Sequence, residues 1–198
     1  MQEDAIAAHA AASSSPARDV TKWYLEMCQR EELRGRPAPE GDIAVVRSAI
    51  PSPEFSRFLY TSVGGAWHWT DRLAWDASRW HDYLVRPQVE TWVAYVSGTP
   101  AGYIELEAQE HGDVEIVYFG LLPGFIGRGL GGHLLTVGVQ RAWAMGARRV
   151  WLHTCSLDSP HALANYQARG FRVYHKETAP RETPAARPSP YMGELRPA

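Results

Sequence analysis

Apolar and polar residues alternate in most of seven short stretches of this chain, and such alternation predicts β-strands. β-Branched and aromatic residues, which fit a pleated surface, are frequent in them. Two tight turns, at residues 98–100 and 110–112, should join the three strands between residues 90 and 121 into an antiparallel meander. The predicted strands are Val20–Met27, Ile43–Ile50, Glu90–Ser97, Ala101–Glu107, Asp113–Leu121, Arg149–Thr154 and Phe171–Lys176.

Four stretches between these strands predict helices. Ser52 and Ser159 are placed as N-caps of the first and last helix, each followed by a proline, and Gly170 ends the last one. In the third helix the apolar residues share one face and Thr136 lies opposite them. The predicted helices are Glu54–Thr61, Asp76–Leu84, Leu130–Met145 and Pro160–Arg169.

The order strand, helix, strand between residues 113 and 154 is a crossover unit, which predicts that its two strands are parallel. The joint before its helix holds four glycines in six residues. Backbone N–H groups in a first helical turn have no partner within the helix, and glycines let a ligand approach them closely. The turn therefore predicts an anion site, with phosphate as the first candidate.

Other uses of such a turn have to be weighed. Glycine-rich turns also bind dinucleotides and nucleoside triphosphates, and some bind no ligand. Here no Lys-Ser or Lys-Thr follows the glycines, which argues against a P-loop. No further βα repeat with an acidic ribose ligand follows either, which argues against a dinucleotide fold.

Two stretches resemble one family. The run Leu121-Leu122-Pro123-Gly124-Phe125-Ile126-Gly127-Arg128-Gly129-Leu130-Gly131 is similar to motif A of the GNAT acyl-CoA N-acyltransferases, although Ile126 stands where Gln or Arg is usual. The run from Ser159 through Tyr166 to Gly170-Phe171 is similar to motif B. The resemblance covers residues 85–176.

The resemblance implies an α/β (α+β) fold with a mixed central sheet of about six to seven strands and about four helices. Length and composition predict one domain over residues 19–177, between a disordered tail (1–18) and an irregular Pro-rich tail (178–198). The family's usual last strand, which pairs with the Phe171–Lys176 strand, has no convincing candidate. We expect Val20–Met27 or a strand of a second subunit at that edge, so a homodimer is possible.

The resemblance also implies acetyl-CoA as cosubstrate, with backbone amides of the glycine turn on its diphosphate. Gly120 should form a bulge that splays the strands, and an amide near it should polarise the thioester carbonyl. Asn165 is expected to hold part of the coenzyme. The expected cofactor-binding residues are Phe119, Gly120, Leu121, Ile126, Gly127, Arg128, Gly129, Leu130, Gly131, Gly132 and Asn165.

Acyl transfer to an amine needs a base, because an alkyl ammonium with a pKa near ~10.4 must lose a proton at a cost of about 4 kcal/mol. The resemblance places the base at Glu115, with Glu105 and Glu107 as alternatives on one strand face; all three can equally be ordinary polar strand residues. Tyr166 is the family's general acid position, and a buried core aromatic is its other interpretation.

The stretch from Gly64 to Tyr83 holds Trp67, Trp69, Trp75 and Trp80, half of the eight tryptophans of the chain. Core packing is one interpretation. The other is a substrate-binding wall, in which aromatic faces hold a cationic amine and Asp71 or Asp76 supplies the counter-charge.

Composition limits the remaining classes. A net charge of −2 with mixed acids and bases gives no sign of a nucleic-acid or membrane surface, so a small amine or peptide is the expected partner. Cys28 and Cys155 suggest buried thiols rather than a disulfide framework, and neither Cys155 nor His153 is expected to be a nucleophile. An acidic start without an apolar run predicts a cytoplasmic protein, and no metal is expected.

Two functions remain open from the sequence. One is an acetyl-CoA-dependent N-acetyltransferase acting on a small molecule or peptide. The other is a non-catalytic acyl-CoA-binding or regulatory protein that keeps the fold without the chemistry.

Overall fold

A computed structural model of the chain describes residues 18–181, which form a seven-stranded mixed sheet in the order β2-β3-β4-β5-β6-β1-β7. The predicted mixed sheet with four helices is confirmed. Strands β3, β4 and β5 form the expected antiparallel meander, and β5 and β6 are parallel. The strands are β1 Arg18–Met27, β2 Ile43–Arg47, β3 Val89–Val96, β4 Thr99–Ala108, β5 Asp113–Leu121, β6 Arg149–Cys155 and β7 Arg172–Arg181.

Four helices flank the sheet, and their N-termini largely follow the sequence signals. Ser52 caps the first helix by accepting the N–H of Phe55 at 3.3 Å. Asp76 caps the second in the same way. The last helix begins two residues later than predicted, because the Ser159 carbonyl closes a turn with Ala162 instead of Ser159 capping the helix. The helices are α1 Pro53–Gly64, α2 Ala77–Leu84, α3 Leu130–Ala144 and α4 Ala162–Ala168.

The N-terminal strand lies inside the sheet. β1 pairs antiparallel with β6 on one side and with β7 on the other, so Val20–Met27 fills the position for which the later sequence offers no strand. The pairing reaches Arg18 and Arg181, and β7 therefore continues five residues past the predicted end at Lys176. The remainder of both predicted tails lies outside the described residues.

The sheet separates two apolar layers. On one face α3 and α4 pack on β4, β5 and β6 through fully buried residues such as Ile104, Leu135 and Leu152. On the other face α1 packs on β3 and β4 through Leu59 and Tyr103. Any ligand that reaches both layers must therefore pass through a gap in the sheet.

One prediction for α3 is wrong. Thr136, placed on the polar side, is buried, because the connection between β1 and β2 covers that side of the helix. The Arg36 N–H donates to the Thr136 hydroxyl at 2.9 Å. Across residues 18–181, every helix is too short or too polar to span a bilayer.

Candidate active site

A gap in the sheet opens between β5 and β6. The two strands pair over only three positions, the last of them Glu115 with Trp151. Just beyond this pair, β5 contains one extra residue. Glu105 of β4 lies opposite Tyr118, and the next residue, Leu106, lies opposite Ile116, so Val117 has no partner in β4. A bulge bends its strand, so β5 turns away from β6 and leaves a cavity of about 770 Å³.

The bulge was expected at Gly120, which has a different role. A Cβ atom at Gly120 would lie 2.4 Å from Cγ1 of Val63, so the glycine allows α1 to pack closely on β5. Gly120 still lines the cavity, together with Phe119 and Leu121.

The start of α3 forms one end of this cavity. Gly129, at the N-cap position, has a φ of +80°, a left-handed conformation that favours glycine. No side chain caps the helix, which leaves its first N–H groups available to a ligand. The turn residues that line the cavity are Ile126, Gly127, Gly129, Gly131 and Gly132.

Two members of the predicted set lie elsewhere. Leu130 is 2% exposed and belongs to the core. The Arg128 guanidinium lies over the ring of Phe125, 5.6 Å from its centroid, and outside the cavity lining. Asn165 does line the cavity, with Nδ2 4.0 Å from the place of a Cβ on Gly131.

Tyr166 projects from α4 into the cavity beside the start of α3. Its ring packs against Phe119 and Phe171, with centroids 5.9 Å and 6.2 Å away. Burial raises the pKa of the Tyr166 phenol, and the charge of Asp158 adds to the rise. Within residues 18–181 the hydroxyl makes no hydrogen bond, so it is a proton donor available to a ligand.

Glu115 lies at the other side of the gap, where β5 leaves β6. Its carboxylate accepts a hydrogen bond from Gln109 Nε2 at 2.7 Å. Burial raises the pKa of the Glu115 carboxyl, and a nearby charge on His153 acts against that rise. His153 and Cys155 also line the cavity. The site therefore holds a partly desolvated carboxylate on the face opposite Tyr166.

Glu105 and Glu107 are not brought to the cavity. They share a strand face, as predicted, but Tyr83 from α2 covers it and donates to both, at 2.8 Å to Glu105 and 3.2 Å to Glu107. Glu105 is 2% exposed and pairs with Arg72 at 2.9 Å. Glu107 pairs with Arg86 at 2.5 Å. Both carboxylates are thus committed to structural contacts.

The aromatic segment divides between the two interpretations. Trp67, Trp69 and Asp71 line the cavity, as expected of a substrate wall. Trp75 does not line the cavity, because it belongs to an aromatic cage around Arg72. The guanidinium carbon lies 4.6 Å from the ring centroid of Trp75, 4.2 Å from that of Tyr83 and 4.5 Å from that of Tyr118. A cation does occupy this cage, but it is an arginine of the chain itself.

Asp71 is the acidic group of the wall. Tyr60 donates to one of its oxygens at 2.7 Å, and the Tyr118 hydroxyl donates to the other. Burial acts to raise the pKa of the Asp71 carboxyl, but the two tyrosine hydroxyls outweigh it and lower the pKa. Asp71 is therefore a fixed negative charge at the cavity, whereas Asp76 is used as a helix cap.

Arg36 is a cavity residue that the sequence did not indicate. It comes from the connection between β1 and β2, and Nη2 lies 3.3 Å from the place of a Cβ on Gly129. Its position depends on a fold-back across about a hundred residues, for which the sequence carries no local signal. Among the described residues, no three His, Cys, Asp or Glu side chains are grouped as a metal site requires.

Comparisons with known proteins concern the family and the fold of this chain. A family model described as acetyltransferase (GNAT) family matches residues 52–171, more than half of the 198-residue chain. No curated protein matches the sequence. A GCN5-related N-acetyltransferase from Kribbella flavida has a TM-score of 0.59 at 19% identity, over 81% of this chain and 58% of that one.

Two further solved structures are similar. A GCN5-related N-acetyltransferase from Sphaerobacter thermophilus has a TM-score of 0.57 at 22% identity, over 82% of this chain and 50% of that one. An aminoglycoside acetyltransferase from an uncultured soil metagenomic sample, in complex with trehalose, has a TM-score of 0.55 at 16% identity, over 64% of this chain and 86% of that one.

The chain thus spans 58% of one GCN5-related structure and 50% of the other. At these identities the structural likeness shows the fold, and the family model covers β5, β6 and the glycine turn between them. The chain belongs to the GNAT acetyltransferase family.

Proposed function

We propose that this protein transfers an acetyl group from acetyl-CoA to a primary amine of a small molecule or peptide. The observation that carries the proposal is the placement of Glu115 and Tyr166 on opposite sides of one gap in the sheet, with the uncapped start of α3 at its end. A base, an acid and an anion site around one cavity are the parts that acyl transfer to an amine requires.

The coenzyme is placed on the α3–α4 side. The amides of residues 126–132 hold the diphosphate, since a helix start offers both free N–H groups and a favourable dipole. Asn165 and Phe119 flank the arm that leads to the thioester. Beyond Glu115, β5 has no partner strand on its β6 side, so amides between Phe119 and Leu121 are available to polarise the thioester carbonyl.

The acceptor is placed on the opposite side, between Glu115 and the wall formed by Trp67, Trp69 and Asp71. Asp71 attracts a cationic amine, and the indole faces add cation–π attraction. Glu115 takes a proton from the ammonium, which frees the nitrogen lone pair, and the neutral amine then bonds to the carbonyl carbon. Its raised pKa makes it a better proton acceptor than an exposed glutamate.

Tyr166 completes the transfer. As the bond between the carbonyl carbon and sulfur breaks, the sulfur leaves with the electron pair, and the Tyr166 hydroxyl donates a proton to it. Because this hydroxyl has no hydrogen-bond partner within residues 18–181, no other interaction has to break first. The second nitrogen proton is lost as the intermediate collapses and returns through solvent to the Tyr166 oxygen, while Glu115 releases its proton to water. The products are the N-acetyl amine, free CoA and one proton.

The test is amine-dependent release of CoA thiol from acetyl-CoA, measured with a panel of primary amines, together with calorimetric titration of CoA. We expect CoA to bind and at least one amine to raise thiol release well above hydrolysis. Binding without turnover by any amine would favour the non-catalytic alternative, and absence of CoA binding would overturn the proposal.

Replacing Tyr166 by Phe should lower kcat by about a hundredfold, toward the low end of general acid effects. A thiol has a pKa near ~8.5, so thiolate is a tolerable leaving group even without a proton. The KM for acetyl-CoA should change little, because the ring remains. Tyr174→Phe, on the exposed strand β7, is the matched control and should retain full activity. Equal rates for all three proteins would remove Tyr166 from the mechanism.

A further inference from the structure

Asp71 is a carboxylate without a cationic partner at the cavity wall. Each of its oxygens accepts a hydrogen bond from a tyrosine hydroxyl, one from Tyr60 at 2.7 Å and the other from Tyr118. Within residues 18–181 it makes no ion pair, and the guanidinium of the next residue, Arg72, is paired with Glu105 at 2.9 Å. The two phenols therefore hold the Asp71 side chain in place without neutralising its charge.

The bulge in β5 brings this charge to the same face of the sheet as Glu115. Successive residues of a regular strand alternate between faces, so Glu115 and Tyr118 would lie on opposite faces without the extra residue. With it, Glu115 lies opposite Glu107. Tyr118 lies opposite Glu105, which shares a face with Glu107. The two positions are thus separated by two residues of β4, or about 7 Å.

The cations that line the cavity come from other elements. They are Lys22 of β1, Arg36 of the connection between β1 and β2, and Arg181 of β7. In the part of the chain that the structure describes, none of them pairs with Asp71. The ring of Trp69 lies beside the carboxylate instead, with its centroid 4.7 Å from that of Tyr118. A fixed carboxylate next to aromatic faces is a binding site for a cation of the ligand.

This cation is distinct from the nitrogen that is acetylated. The reacting nitrogen has to lose a proton to Glu115 before it can attack the thioester. Pairing an ammonium with a carboxylate favours its charged form and raises its pKa, which would oppose that step. Asp71 and Glu115 therefore act on different groups of the acceptor.

We propose that Asp71 selects acceptors with a second cationic group, so that the substrate of this enzyme is a diamine whose nitrogens lie about 7 Å or more apart. The inference rests on the proposed function. One nitrogen stays protonated and pairs with Asp71 beside Trp69. The other lies at Glu115, loses its proton there and is acetylated. The ion pair thus fixes the acceptor at a distance that aims the reacting nitrogen at the thioester.

The test compares 1,5-diaminopentane with 5-amino-1-pentanol, which has the same length and a neutral end. In wild type we expect kcat/KM to be about tenfold higher or more for the diamine, through a lower KM. 1,2-Diaminoethane should have no such advantage over 2-aminoethanol, because its nitrogens are too close together to reach both Asp71 and Glu115. Equal kcat/KM values for the longer pair, or an equal advantage for the short diamine, would overturn the proposal.

Three variants locate the effect. Asp71→Asn should raise the KM for 1,5-diaminopentane about tenfold and leave the constants for 5-amino-1-pentanol unchanged. Tyr118→Phe keeps the ring but removes one hydrogen bond to Asp71, so it should raise the same KM about threefold. Asp82→Asn is the matched control, because the Asp82 side chain in α2 is 78% exposed and lies outside the cavity lining. It should match wild type with both amines.

A purely structural role for Asp71 predicts a different result. If the carboxylate only joins its loop to Tyr60 and Tyr118, Asp71→Asn should lower the melting temperature and slow both amines alike, and that outcome would overturn the proposal. If no amine releases CoA thiol from acetyl-CoA in wild type, the proposed function itself fails. If wild type acetylates both amines equally well and Asp71→Asn changes neither rate, only this inference fails.

Discussion

Replacing Glu115 by Gln should lower kcat/KM for the amine by about 10²- to 10⁴-fold, the range found when a general base is removed. The effect should exceed that of Tyr166→Phe. An ammonium with a pKa near ~10.4 cannot attack until it has lost a proton, whereas a thiolate can leave without gaining one, because its thiol has a pKa near ~8.5. Glutamine keeps the shape and the contact with Gln109, so the fold should not change. The measurement is initial-rate kinetics with the best amine of the panel.

The direction in which the rate changes with pH follows from the role of Glu115 as a base. A base works only when ionised, so the rate should fall as the pH drops through the pKa of Glu115. Burial raises that pKa, which places the acidic limb above the ordinary glutamate value of about 4.3. The limb should disappear in Glu115→Gln.

A matched control separates this effect from a general loss of negative charge. Glu110 lies in the turn between β4 and β5 with its side chain 96% exposed, so Glu110→Gln should retain the wild-type profile. If Glu115→Gln keeps both the rate and the acidic limb, another group is the base. His153, which also lines the cavity, would be the first candidate to examine.

The sequence predicted the elements well because their signals are local. Alternation of apolar residues sets which face of a strand is buried, and a cap such as Ser52 acts within one turn. The glycines at 127–132 line the cavity because their position depends only on the local backbone, whereas their contact with a ligand stays a prediction. Glu115 and Tyr166 were then brought to one cavity by the crossover unit and by α4.

Contacts between elements that are distant in the sequence were not predictable in the same way. The alternation of Glu105 and Glu107 gave the correct shared face, but only the placement of α2 decides that Tyr83 covers it. One interpretation of the tryptophan-rich segment was a wall whose aromatic faces hold a cationic amine, but the ring of Trp75 contacts Arg72 of the chain itself. Residue types alone do not distinguish a cation of the substrate from one of the chain.

The position of β1 in the sheet also depends on contacts between distant parts of the chain. A strand at the N-terminus can pair at either edge or between two later strands, and its pattern is the same in each. Here it lies between β6 and β7, far from β2 in the sheet. The connection from β1 to β2 must therefore cross α3, which is what carries Arg36 to the start of that helix.

Breaking the buried pair of Arg72 and Glu105 should be the most destabilising single change. The two side chains are 5% and 2% exposed, and their charged atoms are 2.9 Å apart. Burial acts to lower the pKa of Arg72, but the charge of Glu105 outweighs it and raises the pKa, so Arg72 stays charged. Arg72→Met should lower the free energy of unfolding by about 3–5 kcal/mol, because Glu105 is left as an unpaired buried charge.

Chemical denaturation at neutral pH measures this loss, and two comparisons identify its cause. Arg47 pairs with Glu90 at 3.5 Å, and the Arg47 side chain is 44% exposed. Arg47→Met should therefore lower the free energy of unfolding by less than about 1 kcal/mol. Glu105→Gln should be destabilising like Arg72→Met, since it leaves the arginine unpaired. The double variant should be less destabilised than the two single losses added together, because no uncompensated charge remains. Strict additivity would mean that the stability lies in the aromatic packing around Arg72 rather than in the ion pair, and Arg72 would then be held mainly by the rings of Trp75, Tyr83 and Tyr118.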